Sequence, residues 1–300
     1  MPDQPLPLPS KAPYLRGLTL SALGIFIISP DGLLVRLIHE AGVWEIIFFR
    51  SLFMGLTLGL MLVVRYRSRF FGVWRSIGGL GLFSALIMVG SNFGFVGALT
   101  HTTVANTLVI IATMPFFSAV LGWVLIGEKV RTGTWVSILF AMCGIAVIFS
   151  GSLGGGSWMG DLMATAAALF MGLNLVILRK AKQHDMTPAL CLSGFLGAGL
   201  AFLWAEPYSV TAHDLSVLAF IGVVILPLSL ALFLSGTRTV PAAEVALLAL
   251  IETVLGPLWV WLGVGERPTS LALAGGFIVI MAITANAIIG SRRQSGRTKS

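Results

Sequence analysis

Ten apolar stretches, each near the 20 or so residues that a helix needs to cross a bilayer, occupy almost the whole chain. They lie near residues 15 to 38, 43 to 65, 77 to 99, 103 to 126, 132 to 150, 159 to 180, 188 to 206, 214 to 235, 241 to 263 and 269 to 289. This pattern leaves few options. In hydrocarbon every backbone N–H and C=O must be bonded internally, so only helices or a closed barrel can span, and continuous apolar runs of this length are helical. Composition agrees: with 57% hydrophobic residues, 10% charged residues and a mean hydropathy of +0.96, the 300 residues carry too little polar surface to cover a soluble globule.

The second constraint is internal repetition. Gly122-Trp123-Val124-Leu125-Ile126-Gly127-Glu128-Lys129 returns as Val260-Trp261-Leu262-Gly263-Val264-Gly265-Glu266-Arg267. Three identities and a Lys/Arg match share one offset, since 261 − 123, 265 − 127, 266 − 128 and 267 − 129 all equal 138. A weaker echo pairs Gly17 with Gly160, Asp31 with Asn174 and Arg36 with Arg179, all 143 apart. An odd number of spans separates the copies, so the halves are expected to face opposite sides of the bilayer, as in many secondary transporters. The expected fold is an all-α integral membrane protein of ten transmembrane helices, two inverted five-helix repeats around a central cavity.

Charge sets the expected orientation, because Lys and Arg near helix ends are retained on the cytoplasmic side. With both termini inside, 16 of the 19 basic residues fall on inner segments; Arg36 and Arg267 lie outside and Arg50 lies within the second span. Nine or eleven spans would spoil that alternation. The net charge of +7 is spread over six segments, which suits topology and contact with anionic lipid better than nucleic acid. Residues 1–14, with prolines at 2, 5, 7, 9 and 13, read as a disordered cytoplasmic tail without the apolar run of a signal peptide. The first repeat is then 15–150, an outer glycine-rich linker 151–158, the second repeat 159–290 and a basic cytoplasmic tail 291–300. Cys143 and Cys191 each sit alone in an apolar span, where a thiol behaves as a small hydrophobe.

The two Gly-Glu-Lys/Arg helix ends, the segment Val240-Pro241-Ala242-Ala243-Glu244-Val245-Ala246, Pro115, Gly160-Asp161 and Arg50 together resemble the drug/metabolite transporter superfamily in its ten-helix form of two EamA repeats. The resemblance covers residues 15 to 290. It implies a bacterial inner-membrane carrier, with both termini cytoplasmic, that exports amino acids or moves other amphipathic metabolites such as riboflavin, metallophores or S-adenosylmethionine. One departure stands out: the proline that commonly follows the mid-helix Glu of the ninth span comes only at Pro257, after Glu252 and Thr253, so the kink is expected about one turn later.

Intramembrane polar groups are the candidate site. At a rise of roughly 1.5 Å per residue, Asp31, Arg50 and Asn92 share a depth about 6 to 8 Å outward of the midplane. Asp31 and Arg50 are therefore expected to face inward and pair, either as a structural lock or as a gating or proton-coupling element. The 143 offset carries Asp31 to Asn174 and Arg50 to Ser193, a second half that keeps polarity without charge. Glu252 lies midway along an apolar span, where ionisation is costly; it either exchanges a proton during transport or stays protonated against a neighbouring backbone. Glu244 and Asn106, 138 apart, fall near the inner and outer mouths, as helix caps or solvated vestibule positions. Pro30, Pro115, Pro227 and Pro257 interrupt spans one, four, eight and nine, placing Ser29, Thr113 and Ser229 beside kinks that are either hinges or static bends. Glu128 and Glu266 read as topology and packing residues.

An intramembrane enzyme is disfavoured, since His39, His101, His184 and His213 fall in loops or at interfaces and no span carries clustered metal ligands. A channel would gain its symmetry by oligomerisation, whereas here it is internal. The expectation is a carrier for a small molecule, embedded in lipid, with no cofactor, no resident metal and no nucleic-acid partner, and with a monomer as a plausible state.

Overall fold

The computed structural model describes residues 11–67, 70–101, 104–149, 157–181, 183–264 and 270–297, and among these every regular element is helical. In chain order the helices are α1 (Lys11–Ile28), α2 (Asp31–Arg36), α3 (Val43–Tyr66), α4 (Phe70–Ser76), α5 (Gly78–His101), α6 (Val104–Ile111), α7 (Met114–Ile126), α8 (Thr132–Phe149), α9 (Trp158–Lys180), α10 (Thr187–Ala201), α11 (Ala212–Phe220), α12 (Leu226–Thr237), α13 (Ala242–Ala249), α14 (Ile251–Val264) and α15 (Ser270–Arg297). Among the described residues, seven helical stretches are long and apolar enough to cross a membrane: Ala12–Val35, Val43–Tyr66, Gly78–Ala98, Val109–Ile126, Trp158–Lys180, Ala212–Thr237 and Ala242–Gly263. Three further apolar helices are shorter: Thr132–Val147, Thr187–Ala201 and Leu273–Ile289.

The offset of 138 reappears as geometry. α6 and α13 are both eight residues long, and 242 − 104 and 249 − 111 both equal 138; α7 and α14 follow them after a short break, ending at 126 and 264, again 138 apart. Each pair is one span interrupted at the same place. At the first break Thr113 N–H bonds back to Ile110 O, and Met114-Pro115 opens the new helix, where a missing N–H costs nothing. At the second, Leu250 N–H bonds Leu247 O and Thr253 N–H bonds Leu250 O, so the ladder tightens to i→i−3. The interruption of span nine therefore sits at Leu250, ahead of Glu252, and corrects the expected kink at Pro257, which lies inside α14. Span one breaks at Ser29-Pro30 between α1 and α2, and Pro227 follows a π-helical turn over Ile221–Ile225.

Packing interlocks the two halves. The most extensive neighbours are α5 with α9, α3 with α10, α8 with α15 and α1 with α12, and each pair takes one helix from 15–150 and one from 159–290. Small residues make the crossings possible. A Cβ on Gly194 would come within 2.8 Å of Ser51 O and 2.9 Å of Gly55 Cα, and one on Gly94 within 3.0 Å of Met163 O, so backbone meets backbone at both crossings. The largest apolar cluster joins Ile25, Ala112, Ala119, Ile138, Ile145, Leu247, Leu250 and Val279, which brings the breaks of spans four and nine together beside span one. Helix α1 begins at Lys11 and not at 15, because Tyr14 is fully buried and anchors that first turn in the protein. At the other terminus α15 continues to Arg297, through most of the expected tail. The linker at 151–156 lies outside the described residues, and Ser157 caps α9 by accepting a hydrogen bond from Met159 N–H.

Candidate functional site

Two acidic residues each stand in the first turn of a half-helix that starts at a break: Asp31 opens α2, and Glu252 is the second residue of α14. Free N–H groups at a helix start favour an anionic side chain there, so the breaks themselves explain how carboxylates are tolerated at this depth. Arg50, on α3, donates from Nη2 to Asp31 Oδ2 at 2.7 Å, with 22% and 16% of the two side chains exposed. Asp31 Oδ1 is buried and has no hydrogen-bond partner among the described residues. Glu252 is exposed on α14, which packs against the helix that Asp31 opens, and it lies in the field of both Asp31 and Arg50. These three groups form one cluster of two carboxylates and one guanidinium.

An apolar wall adjoins the cluster. Ser29, at the break of span one, donates to Phe26 O at 2.7 Å and accepts from Trp259 Nε1 at 2.7 Å, while the rings of Phe26 and Trp259 meet edge to face at 5.8 Å. One turn of α1 and the middle of α14 are thereby held together. Chemically, the arrangement offers carboxylate oxygen to a cation, a guanidinium edge to an anion and aromatic surface to an apolar body.

The remaining expected site residues scatter. Asn92 is half-buried on α5. Thr113 caps its own turn through Oγ1 to Ile110 O at 2.6 Å, and Ser229 bonds Leu226 O at 3.1 Å. Asn174 is buried and accepts from Ser84 Oγ at 2.6 Å, an α5–α9 packing contact away from the charged cluster. Ser193, equivalent to Arg50 by the repeat, bonds Leu190 O. The side chains of Asn106 and Pro257, and Glu266 entirely, lie outside the described residues.

A second charged assembly closes the opposite, Lys/Arg-rich end of the bundle. Glu244, only 2% exposed, accepts from Tyr14 Oη at 2.6 Å and pairs with Arg131. It is thus a buried, doubly bonded group in the first turn of α13, and of the two expected roles, helix cap or solvated vestibule position, the second is corrected by its burial. Glu128 accepts from Arg179 Nε at 3.1 Å and from Ala242 N–H at 3.2 Å, and Arg179, 1% exposed, also donates to the carbonyls of Thr237 and Arg238 at 3.1 and 2.8 Å. Tyr14, Arg131 and Arg179 were not singled out as a group by sequence reasoning. Only the repeated Gly-Glu-Lys/Arg fragment pointed there, since buried pairing cannot be read from positions 230 residues apart, as Tyr14 and Glu244 are (244 − 14). Packing differs between the two halves of this span: residues 242–248 of α13 are all buried, whereas none of the described side chains of α14 is.

Comparison with known proteins completes the assignment. The model of the EamA-like transporter family matches residues 15–150 and again 158–287. A solved crystal structure shares the fold at a TM-score of 0.80 and 14% identity, covering 92% of this chain and 98% of that one. No curated protein matches. Two EamA units covering nearly the whole length, on an all-helical framework with seven bilayer-length apolar helices, identify a multi-pass membrane transporter of the drug/metabolite type. The chain belongs to the EamA-like transporter family.

Proposed function

We propose that this protein is a ten-span secondary carrier that exports a small amphipathic metabolite, an amino acid or amino-acid derivative, across the bacterial inner membrane by alternating access. The seven long helices and three shorter ones supply the ten spans. Pairing of α1, α3, α5 and α8 with α12, α10, α9 and α15 of the other half supports an inverted two-fold arrangement. The charge distribution supports cytoplasmic termini.

One observation carries the substrate reading: Asp31, Arg50 and Glu252 converge beside Phe26 and Trp259 at breaks in two spans. Asp31 and Arg50 neutralise one another, so Glu252 and the open Asp31 Oδ1 are left to receive an ammonium. Arg50 retains further N–H donors for a carboxylate. The aromatic pair suits an apolar side chain. The bonded Glu128 and Glu244 assemblies at the basic end support a stage of the cycle that opens away from the cytoplasm.

Transport by purified protein in liposomes, screened against amines, amino acids and organic acids with and without a pH gradient, tests the reading. Saturable flux with counterflow of compounds that carry an ammonium and an apolar group is expected. Flux confined to organic anions would overturn the amino-compound assignment and favour another metabolite of the same amphipathic kind.

A further inference from the structure

At the end of the bundle away from the basic cluster, the turn between α2 and α3 rests on the first turn of α11. Asp214, fully buried, holds it there: Oδ1 accepts from His39 N–H at 3.1 Å, and Oδ2 accepts from Glu40 N–H at 2.9 Å and Ala41 N–H at 3.0 Å. Thr211 caps α11 by accepting from Asp214 N–H. This frame sets two exposed imidazoles side by side, with the rings of His39 and His213 centred 5.6 Å apart at 37°. His213 Nε2 lies 3.1 Å from Leu37 O, and donation there leaves the lone pair on Nδ1.

We propose that His39, His213 and Asp214 form a surface site for a divalent transition-metal ion of the zinc, copper or nickel type. One nitrogen of each ring and one carboxylate oxygen all lie within 4.8 Å of one another. Bonds of about 2.0 to 2.1 Å to a tetrahedral ion require donors roughly 3.3 Å apart, so the rings need to close by about 1.5 Å, a rotation open to exposed side chains. The carboxylate is placed by three backbone donors and Oδ1, which takes only one of them, keeps a lone pair for the ion. A ligand imidazole whose other nitrogen bonds a backbone carbonyl is the usual outer-shell arrangement at metal sites, and the His213–Leu37 contact has that form. Two imidazoles with one carboxylate favour these borderline ions over calcium or magnesium, which take oxygen sets. The bound ion would tie the 37–42 turn to α11, between halves of the chain 174 residues apart (213 − 39).

The test uses the full chain in detergent with any affinity tag removed and trace metal chelated. Zinc chloride is titrated by calorimetry and by the shift in Tm. One ion per chain is expected, with a rise in Tm, release of protons below neutral pH, and no competition from millimolar calcium. His39→Ala and His213→Ala should each weaken binding at least about tenfold. His101→Ala and His184→Ala should leave it unchanged. Equal binding by His39→Ala and wild type, loss of binding in the His101 or His184 variant, or no heat and no Tm shift in wild type at 100-fold molar excess would each overturn the site.

Discussion

Asp31 and Arg50 stand 19 residues apart and meet at 2.7 Å across the α2–α3 turn, each partly exposed. Removing either charge alone leaves the other uncompensated at intramembrane depth, whereas removing both takes away attraction and desolvation together. The expected outcome of a double-mutant cycle with Asp31→Asn and Arg50→Gln, read as stability in detergent, is a coupling of about 0.5 to 3 kcal/mol. Strictly additive losses would show that the contact contributes nothing. Among the described residues Glu252 has no such bonded partner, but it lies in the field of both. Glu252→Gln keeps the shape and cannot titrate, so flux through it should persist without responding to an imposed pH gradient. A wild-type rate and pH profile in that variant would move any proton coupling to Asp31. A third carboxylate shows the opposite situation in a loop. Partial burial alone would raise Asp185, but hydrogen bonds from Thr187 and from Tyr66 Oη at 2.6 Å, with Arg65 at 3.6 Å, outweigh it and hold its carboxyl below the usual range. A depressed folded value means that its stabilisation is present above the unfolded value, near 4, and is lost as pH falls through the folded one. Asp185→Asn should therefore lower Tm at neutral pH and make little difference in strong acid.

Elements carry the mechanical part of the argument. Spans four and nine break at equivalent positions, and span one breaks where Asp31 begins, so three interrupted helices meet at one level of the bundle. Their halves behave differently: α13 is embedded among α7, α9 and α1, while α14 makes its main contacts with α2 and α15. The buried end is locked by Arg179, whose guanidinium is satisfied by Glu128 and two carbonyls. Glu128→Gln strands that cation, with an expected cost of about 3 to 5 kcal/mol in detergent stability. Replacing the pair together, Glu128→Gln with Arg179→Met, should cost less than the sum. A Tm for Glu128→Gln equal to wild type would show that the assembly does not hold the end closed. Helix crossings make a separate prediction: Gly194→Ala drives a methyl into the backbone of α3 and should cost about 1 to 3 kcal/mol. Gly199→Ala, with nothing within 4 Å of the new methyl, should be close to neutral.

At the scale of the whole molecule, orientation is the property most open to a direct check. Gly72→Cys, exposed within the arginine-flanked α4, should resist an impermeant thiol reagent added outside cells, and Ser157→Cys at the head of α9 should react. The reverse pattern would invert the proposed topology, and with it the side from which the charged cluster is reached. Much of this architecture was legible in the chain. Hydropathy marks the spans because lipid admits no unsatisfied backbone, and the 138-residue offset already contains the matched breaks of α6/α7 and α13/α14. Depth along a helix follows from its rise, which is why the pairing of Asp31 with Arg50 is legible in the sequence. Azimuth around each helix cannot be obtained in that way when every face is apolar. Asn174, reached through the repeat, therefore turns into a packing contact, Ser229, expected beside a kink, bonds back to its own helix, and Glu244 turns into a buried ion pair. Partners from distant segments are likewise invisible locally: Tyr14 with Glu244, Glu128 with Arg179, and His39 with His213 meet only because interlocked helices bring their ends together. Sequence alone determined the solvent, the element type and the repeat, since each is a property of one segment or of two aligned ones. Tertiary packing decided which polar groups face one another, since that depends on how each helix is rotated against all its neighbours at once.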